Sequence, residues 1–231
     1  MKTIGLIGGM SWESTAEYYR IINKAASQRF GGLHSAKILI HSVDFGEIEP
    51  LMRSGDWADI GRMMACIAAS LEKAGADCII LGTNTIHKVF SFIEDAVSVP
   101  CIHIADAAGQ AIAESGLTKV GLLGTCFTME EDFYRGRLKD KFGIEVTVPG
   151  SDDRKEVDSV IFDKLCLGLV DEESKQCYIE IINSLAAEGA QGIILGCTEI
   201  PLLIGESDVD VPLFDTTMIH AMAACELAFK S

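Results

Sequence analysis

Cys197 and Thr83 hold matching places in two stretches of this chain that read almost alike. Ala74-Gly75-Ala76-Asp77-Cys78-Ile79-Ile80-Leu81-Gly82-Thr83-Asn84-Thr85-Ile86 parallels Glu188-Gly189-Ala190-Gln191-Gly192-Ile193-Ile194-Leu195-Gly196-Cys197-Thr198-Glu199-Ile200. Each reads as a helix end, a buried strand and a small polar triplet where the strand finishes. A hydroxyl and a thiol at matching strand ends are two proton carriers that a duplicated fold can set on opposite sides of one substrate. Cys197 follows a strand and precedes a helix start, an environment that lowers a thiol pKa. A thiolate there can remove a proton from a carbon flanked by a carboxylate, if the same loops stabilise the enediolate that forms. Geometry and oriented dipoles suffice, so this chemistry requires no cofactor.

The elements that position these residues alternate along the chain. Short β-rich runs fall at Thr3–Gly8, Ala36–Ser42, Cys78–Gly82, Cys101–Ile104, Lys119–Gly124, Glu145–Val148, Gly192–Gly196 and Leu213–Phe214. Helical patterns fill Glu13–Arg29, Trp57–Ala74, His87–Ala96, Ala105–Glu114, Glu130–Phe142, Asp153–Leu167, Glu172–Glu188 and Thr216–Phe229. Such alternation predicts an α/β fold with mostly parallel sheets. The repeat extends beyond the first pair. Ile4-Gly5-Leu6-Ile7-Gly8-Gly9-Met10-Ser11 resembles Val120-Gly121-Leu122-Leu123-Gly124-Thr125-Cys126-Phe127, and Val99-Pro100 resembles Val211-Pro212. Three matched units in order predict two pseudo-symmetric α/β domains, residues 1–98 with 211–231 and residues 99–210, with the active site in the cleft between them.

Composition narrows the partners. The 231 residues carry 19 Lys+Arg against 34 Asp+Glu, a net charge of −15, which argues against nucleic acid or an anionic membrane. The apolar run at Ile4–Ile7 is too short for a signal peptide, and no run has membrane-spanning length. Eight cysteines with no C-x-x-C pair point to reduced thiols in the cytoplasm, and the five histidines lack zinc-ligand spacing, so no metal is expected. Gly5-Leu6-Ile7-Gly8-Gly9 is not a dinucleotide fingerprint, and no phosphate loop occurs.

In open parallel sheets ligands collect beyond the carboxyl ends of the strands. Four loops end there: Gly8-Gly9-Met10-Ser11, Thr83-Asn84-Thr85, Gly124-Thr125-Cys126-Phe127-Thr128 and Cys197-Thr198-Glu199. Each is expected to offer backbone N–H groups at a positive helix end, suited to a carboxylate. Ser11, Asn84, Thr85, Thr125, Thr128 and Thr198 add donors; any one of them also suits a helix cap. Cations for an acidic substrate come from Arg53, Lys88, Arg135, Arg137 and Lys164. His87 either orients a group near Thr83 or is structural. Glu199 either tunes Cys197 or stabilises a helix start.

Gly8-Gly9-Met10-Ser11-Trp12-Glu13-Ser14-Thr15, Thr83-Asn84-Thr85-Ile86-His87 and Gly196-Cys197-Thr198-Glu199-Ile200-Pro201 closely resemble the aspartate/glutamate racemase family, over essentially the whole chain. The resemblance implies a cofactor-independent amino-acid racemase, commonly a homodimer, acting on a small amino-acid substrate. It suggests Arg53 and Lys164 as partners of the substrate's distal carboxylate, with Met10 and Met52 shaping the pocket wall. Family members usually carry a catalytic cysteine in each half. Cys197 matches the second; Thr83 stands where the first is expected. A free thiol titrates near ~8.5 and an unassisted hydroxyl nearer water's ~15.7, so forming the oxygen anion costs about 9–10 kcal/mol more. Cys197 is therefore the base, assigned to the L-enantiomer by the family's geometry, and Thr83 chiefly a donor on the other face. Broader amino-acid specificity, a single-cysteine decarboxylase of the arylmalonate type, a maleate isomerase and a non-catalytic amino-acid sensor are the rival readings.

Overall fold

A computed structural model of the chain describes residues 1–230. The chain folds as two compact units, Met1–Ile104 with the segment from His220 onward, and Ala105–Ile219. In chain order the elements are β1 (Ile4–Gly8), α1 (Trp12–Phe30), β2 (Ile38–Ser42), α2 (Phe45–Ser54), α3 (Trp57–Lys73), β3 (Cys78–Leu81), α4 (Phe90–Ala96) and β4 (Cys101–Ile102). There follow α5 (Ile104–Glu114), β5 (Lys119–Gly124), α6 (Cys126–Glu130), α7 (Asp132–Phe142), β6 (Glu145–Thr147), α8 (Ser151–Asp163), α9 (Glu172–Ala187), β7 (Ile193–Gly196), β8 (Leu213–Asp215) and α10 (Thr216–Phe229).

Each unit holds one four-stranded parallel sheet, in the orders β2-β1-β3-β4 and β6-β5-β7-β8. The two orders are the same topology used twice, as the sequence repeat requires. The central strands β1, β3 and β7 are buried along their whole length. Continuous apolar runs of this kind suit parallel strands covered on both faces. Edge strand β2 is exposed over its last three residues.

The crossings between units fall later than the sequence boundaries at 98/99 and 210/211. Cys101–Ile102 pairs with β3 and completes the first sheet. Leu213–Asp215 pairs with β7 and completes the second. The helix after each Val-Pro strand then leaves for the other unit. Ala221, Ala224, Cys225, Ala228 and Phe229 of α10 join the core of Ile4, Leu6, Tyr18, Ile22 and Ile80 in the first unit. Asp106 of α5 is held in the second unit by Arg137 and Lys141 of α7, at 2.5 and 2.7 Å. Asp106 stays ionised there: burial opposes its charge, but the two cations hold its carboxyl below the usual range.

All eight expected strands form. Three expected helices are interrupted. Thr85–Val89 is a 3-10 turn before α4, the segment before α7 is a separate helix α6, and a 3-10 turn at Leu165–Leu167 follows α8. Helix α2 falls in a stretch to which the sequence pattern assigns no element, and it carries Pro50 inside it. It forms because Asp44 caps it at Gly46 N, and Ile48 and Met52, four residues apart, are both buried.

Candidate functional site

The residues of the first unit gather at the carboxyl ends of two neighbouring strands, β1 and β3, paired in register to Ile7 and Leu81. Gly9-Met10-Ser11 follows β1 and Thr83-Asn84-Thr85 follows β3. All five side-chain-bearing members, Met10, Ser11, Thr83, Asn84 and Thr85, are buried. Ser11 caps α1 by accepting from Ser14 N at 3.3 Å, and the Ser14 hydroxyl donates to Gly82 O at 3.3 Å, tying the two loops together. Thr15 closes the first loop on itself. Its Oγ1 accepts from Gly9 N at 2.7 Å and donates to Ser11 O at 3.0 Å. Gly9 has φ +96°, and a Cβ there would lie 2.2 Å from Val43 O, so only glycine lets the chain turn here. The Met10–Ser11 peptide bond is cis.

The second unit repeats the arrangement on β5 and β7, paired in register to Gly124 and Gly196. Thr125 caps α6, accepting from Thr128 N at 3.3 Å, and its hydroxyl lies 3.2 Å from that of Thr128. Both are buried. Asp158 accepts from Cys126 N at 2.7 Å and fixes the start of the same helix. Cys197 follows Gly196 directly. Its thiol donates to Glu199 Oε2 at 2.9 Å, and the Thr198 hydroxyl donates to the same oxygen at 2.7 Å. Glu199 is only 4% exposed.

This carboxylate corrects the expectation of a lowered thiol pKa at Cys197. Burial, then the Glu199 charge, push the thiol well above its ordinary value. The helix start that was to oppose them is a three-residue 3-10 turn, Ile200–Leu202, with almost no dipole to offer. The same correction applies more widely. Of the four strand-end loops, only the one after β1 opens a long α-helix; the others lead into 3-10 turns or the five-residue α6.

Met52 is buried in the last turns of α2, while the adjacent Arg53 is exposed and ion-paired with Glu49. Lys164 Nζ donates to Ser174 Oγ at 2.9 Å and pairs with Asp171 at 2.9 Å. The Asp171 contact holds the ammonium pKa above its usual value, so Lys164 stays charged. Sequence reasoning missed Ser14 and Thr15. The signal was a Ser-x-x-Ser-Thr run at a helix start, where a hydroxyl can bond back to the preceding turn.

His87, His103 and His220 come together in the first unit, with ring centroids 4.6 Å (His87–His103) and 5.8 Å (His87–His220) apart. His87 and His220 spend both ring nitrogens on protein groups. Among the described residues no cluster of His, Cys, Asp or Glu is arranged to hold a metal ion, and no helix is long and apolar enough to cross a membrane.

Comparison with known proteins gives the family and the fold. The family model described as Asp/Glu/Hydantoin racemase matches residues 7–224. A Yersinia pestis protein described as a candidate Asp/Glu racemase superposes with TM-score 0.94 at 53% identity, over 100% of both chains. An aspartate racemase homologue from Pyrococcus horikoshii superposes with TM-score 0.87 at 36% identity, again over 100% of both chains. The broad specificity amino-acid racemase RacX of Bacillus subtilis is 24% identical over 238 residues, 99% of this chain and 100% of RacX.

Proposed function

The chain belongs to the Asp/Glu/hydantoin racemase family and is an amino-acid racemase, and on that premise we propose that it interconverts the L- and D-forms of aspartate or glutamate by Cα proton abstraction on one face and reprotonation on the other, with Cys197 and Thr83 as the two proton carriers. The observation that carries this reading is the Cys197 thiol pointed at the Glu199 carboxylate, 2.9 Å away, at the end of a buried strand. Thr83 stands at the equivalent strand end of the first unit.

A thiol with a raised pKa is a poor resting base, so the base is the Cys197–Glu199 pair. Glu199 takes the S–H proton and becomes neutral. The thiolate then takes the Cα proton of the L-substrate, and the electron pair left on Cα delocalises into the substrate carboxyl as an enediolate. Thr83 delivers its hydroxyl proton to the opposite face of Cα, a neighbouring donor or water returns a proton to it, and neutral Glu199 releases the proton it took, which restores the resting charges. Backbone N–H groups of the strand-end loops and the hydroxyls of Ser11, Thr85, Thr125, Thr128 and Thr198 are the proposed partners of the substrate carboxylate and enediolate. Enantiomers have equal energy, so kcat/KM is equal in the two directions. The chemical inequality of thiol and hydroxyl appears in isotope exchange instead.

Broader amino-acid specificity is the second reading. It is favoured by one observation: Arg53 and Lys164, the proposed partners of a distal carboxylate, are already paired with Glu49 and Asp171. Cα–H exchange in D2O, measured over a panel of L- and D-amino acids, tests both. Exchange confined to aspartate and glutamate supports the first reading. Exchange spread over uncharged side chains supports the second, and absence of exchange on every substrate contradicts both.

A further inference from the structure

His87 lies four residues beyond Thr83 and is 2% exposed. Its Nδ1 is 2.6 Å from the carbonyl oxygen of Thr83, and the backbone N–H of Ile104 points at its Nε2 at 3.2 Å. A carbonyl only accepts and an amide N–H only donates, so these partners fix a neutral imidazole with its proton on Nδ1. The ring has no room to swing. It stacks on Phe90 at 4.9 Å and 14°, and His103 packs against it at 4.6 Å.

Thr83 sits just past the last paired residue of β3, outside the sheet ladder. Its N–H bonds to Leu81 O at 2.9 Å, and its C=O is gripped by His87. Ile104 opens α5 directly after β4, the neighbour of β3 in the sheet. One imidazole therefore links the loop that carries Thr83 to the end of the adjacent strand. We infer that His87 is a positioning residue for the Thr83 proton carrier: Nδ1–H fixes the peptide from which the Thr83 hydroxyl projects, and Ile104 N–H fixes the tautomer that makes this possible. The inference rests on Thr83 being that carrier. Displacing a reacting group by about 1 Å costs about 100-fold in rate, which sets the scale of the effect.

Asn and Gln dissect the ring. His87→Asn keeps a donor near the Nδ1 position and loses the acceptor for Ile104. His87→Gln keeps an acceptor near the Nε2 position and loses the donor to Thr83. In D2O, L-aspartate exchanged with retention reports Cys197, while inversion also needs Thr83. His87→Gln should lower the ratio of inversion to retained exchange by about 10- to 100-fold, with His87→Asn close to wild type. Equal losses of inversion and exchange in both variants would mean a structural role only and overturn the inference. Thr83→Ala is the reference. If it leaves the ratio at the wild-type value, the carrier reading itself fails and takes the inference with it; if it lowers the ratio and His87→Gln does not, the inference alone fails. Should His87→Gln not fold, the 15N shifts of the His87 ring in the wild-type protein decide: a proton on Nδ1 supports the inference, and one on Nε2 overturns it.

Discussion

The sulfur of Cys197 and the carboxylate of Glu199 stand 2.9 Å apart, and the thiol is the donor. In the proposed mechanism the pair shares one negative charge, which passes from Glu199 to the sulfur when the thiol gives up its proton. Glu199→Gln removes that charge while keeping the shape. Burial still raises the Cys197 thiol, but its second cause is gone, so the thiolate should form at lower pH than in the wild type. The ultraviolet thiolate signal, taken as a difference from Cys197→Ser, measures the midpoint. The proton acceptor is lost at the same time, and kcat/KM should fall by about 10²–10⁴. Easier ionisation with poorer catalysis is the signature of a base pair. A variant with unchanged midpoint and unchanged rate would reduce Glu199 to a packing residue.

Thr83→Cys should restore a second thiol at the matching strand end. Exchange of the Cα proton starting from the D-enantiomer should then accelerate, since a thiol ionises about seven pH units more easily than an unassisted hydroxyl. Exchange starting from the L-enantiomer, governed by Cys197, should change little. NMR of each enantiomer in D2O gives both rates, and an unchanged D-side rate would contradict the division of labour.

His220 gives the fold an acid-sensitive joint. Its Nε2–H donates to Ile102 O at 2.8 Å, and its Nδ1 accepts from the Tyr18 hydroxyl at 2.8 Å. Burial lowers its pKa from 6.5 to about 4, although the bond to Ile102 favours the charged ring. The unfolded chain therefore takes up a proton between about pH 6.5 and 4 that the folded protein does not. The contribution of this group is complete above pH 6.5 and drains away as pH falls to about 4, by up to about 3 kcal/mol. Urea titrations across that range should show the loss in the wild type and a flatter profile in His220→Gln. Parallel profiles would rule out His220 as the source.

Gly9→Ala tests how tightly the first loop is built. An alanine there must adopt a positive φ and place Cβ 2.2 Å from Val43 O. Stability should fall by about 2–4 kcal/mol through backbone strain and displacement of the loop, read as a lower urea midpoint. A near-neutral result would mean that the turn can be remade without glycine.

Much of this architecture was legible because it was written twice. The apolar runs at Ile4–Gly8, Cys78–Leu81 and Ile193–Gly196 are buried on both faces, and such strands leave a plain sequence signal. The matched polar triplets located Thr83 and Cys197 correctly at strand ends. Helix α2 leaves a weak signal, because it contains Pro50 and is stabilised by burying Ile48 and Met52 rather than by local propensity. The Cys197 environment was misjudged for a related reason. A helix start can be guessed from sequence, but its length cannot be read off so easily, and a three-residue turn does not stabilise a thiolate. The crossings at Ile104 and Ile219 depend on which sheet the short strands at Cys101 and Leu213 join, which is a matter of tertiary pairing.

The most direct test follows the Cα proton of L-aspartate and L-glutamate in D2O by NMR, with enantiomers resolved, for wild type, Thr83→Ala and Cys197→Ser. The wild type should yield D-enantiomer deuterated at Cα. Thr83→Ala should still exchange the proton of the L-substrate with retention while forming D-product far more slowly, and Cys197→Ser should lose both activities. Racemisation at the wild-type rate in Thr83→Ala, or exchange surviving in Cys197→Ser, would contradict the account.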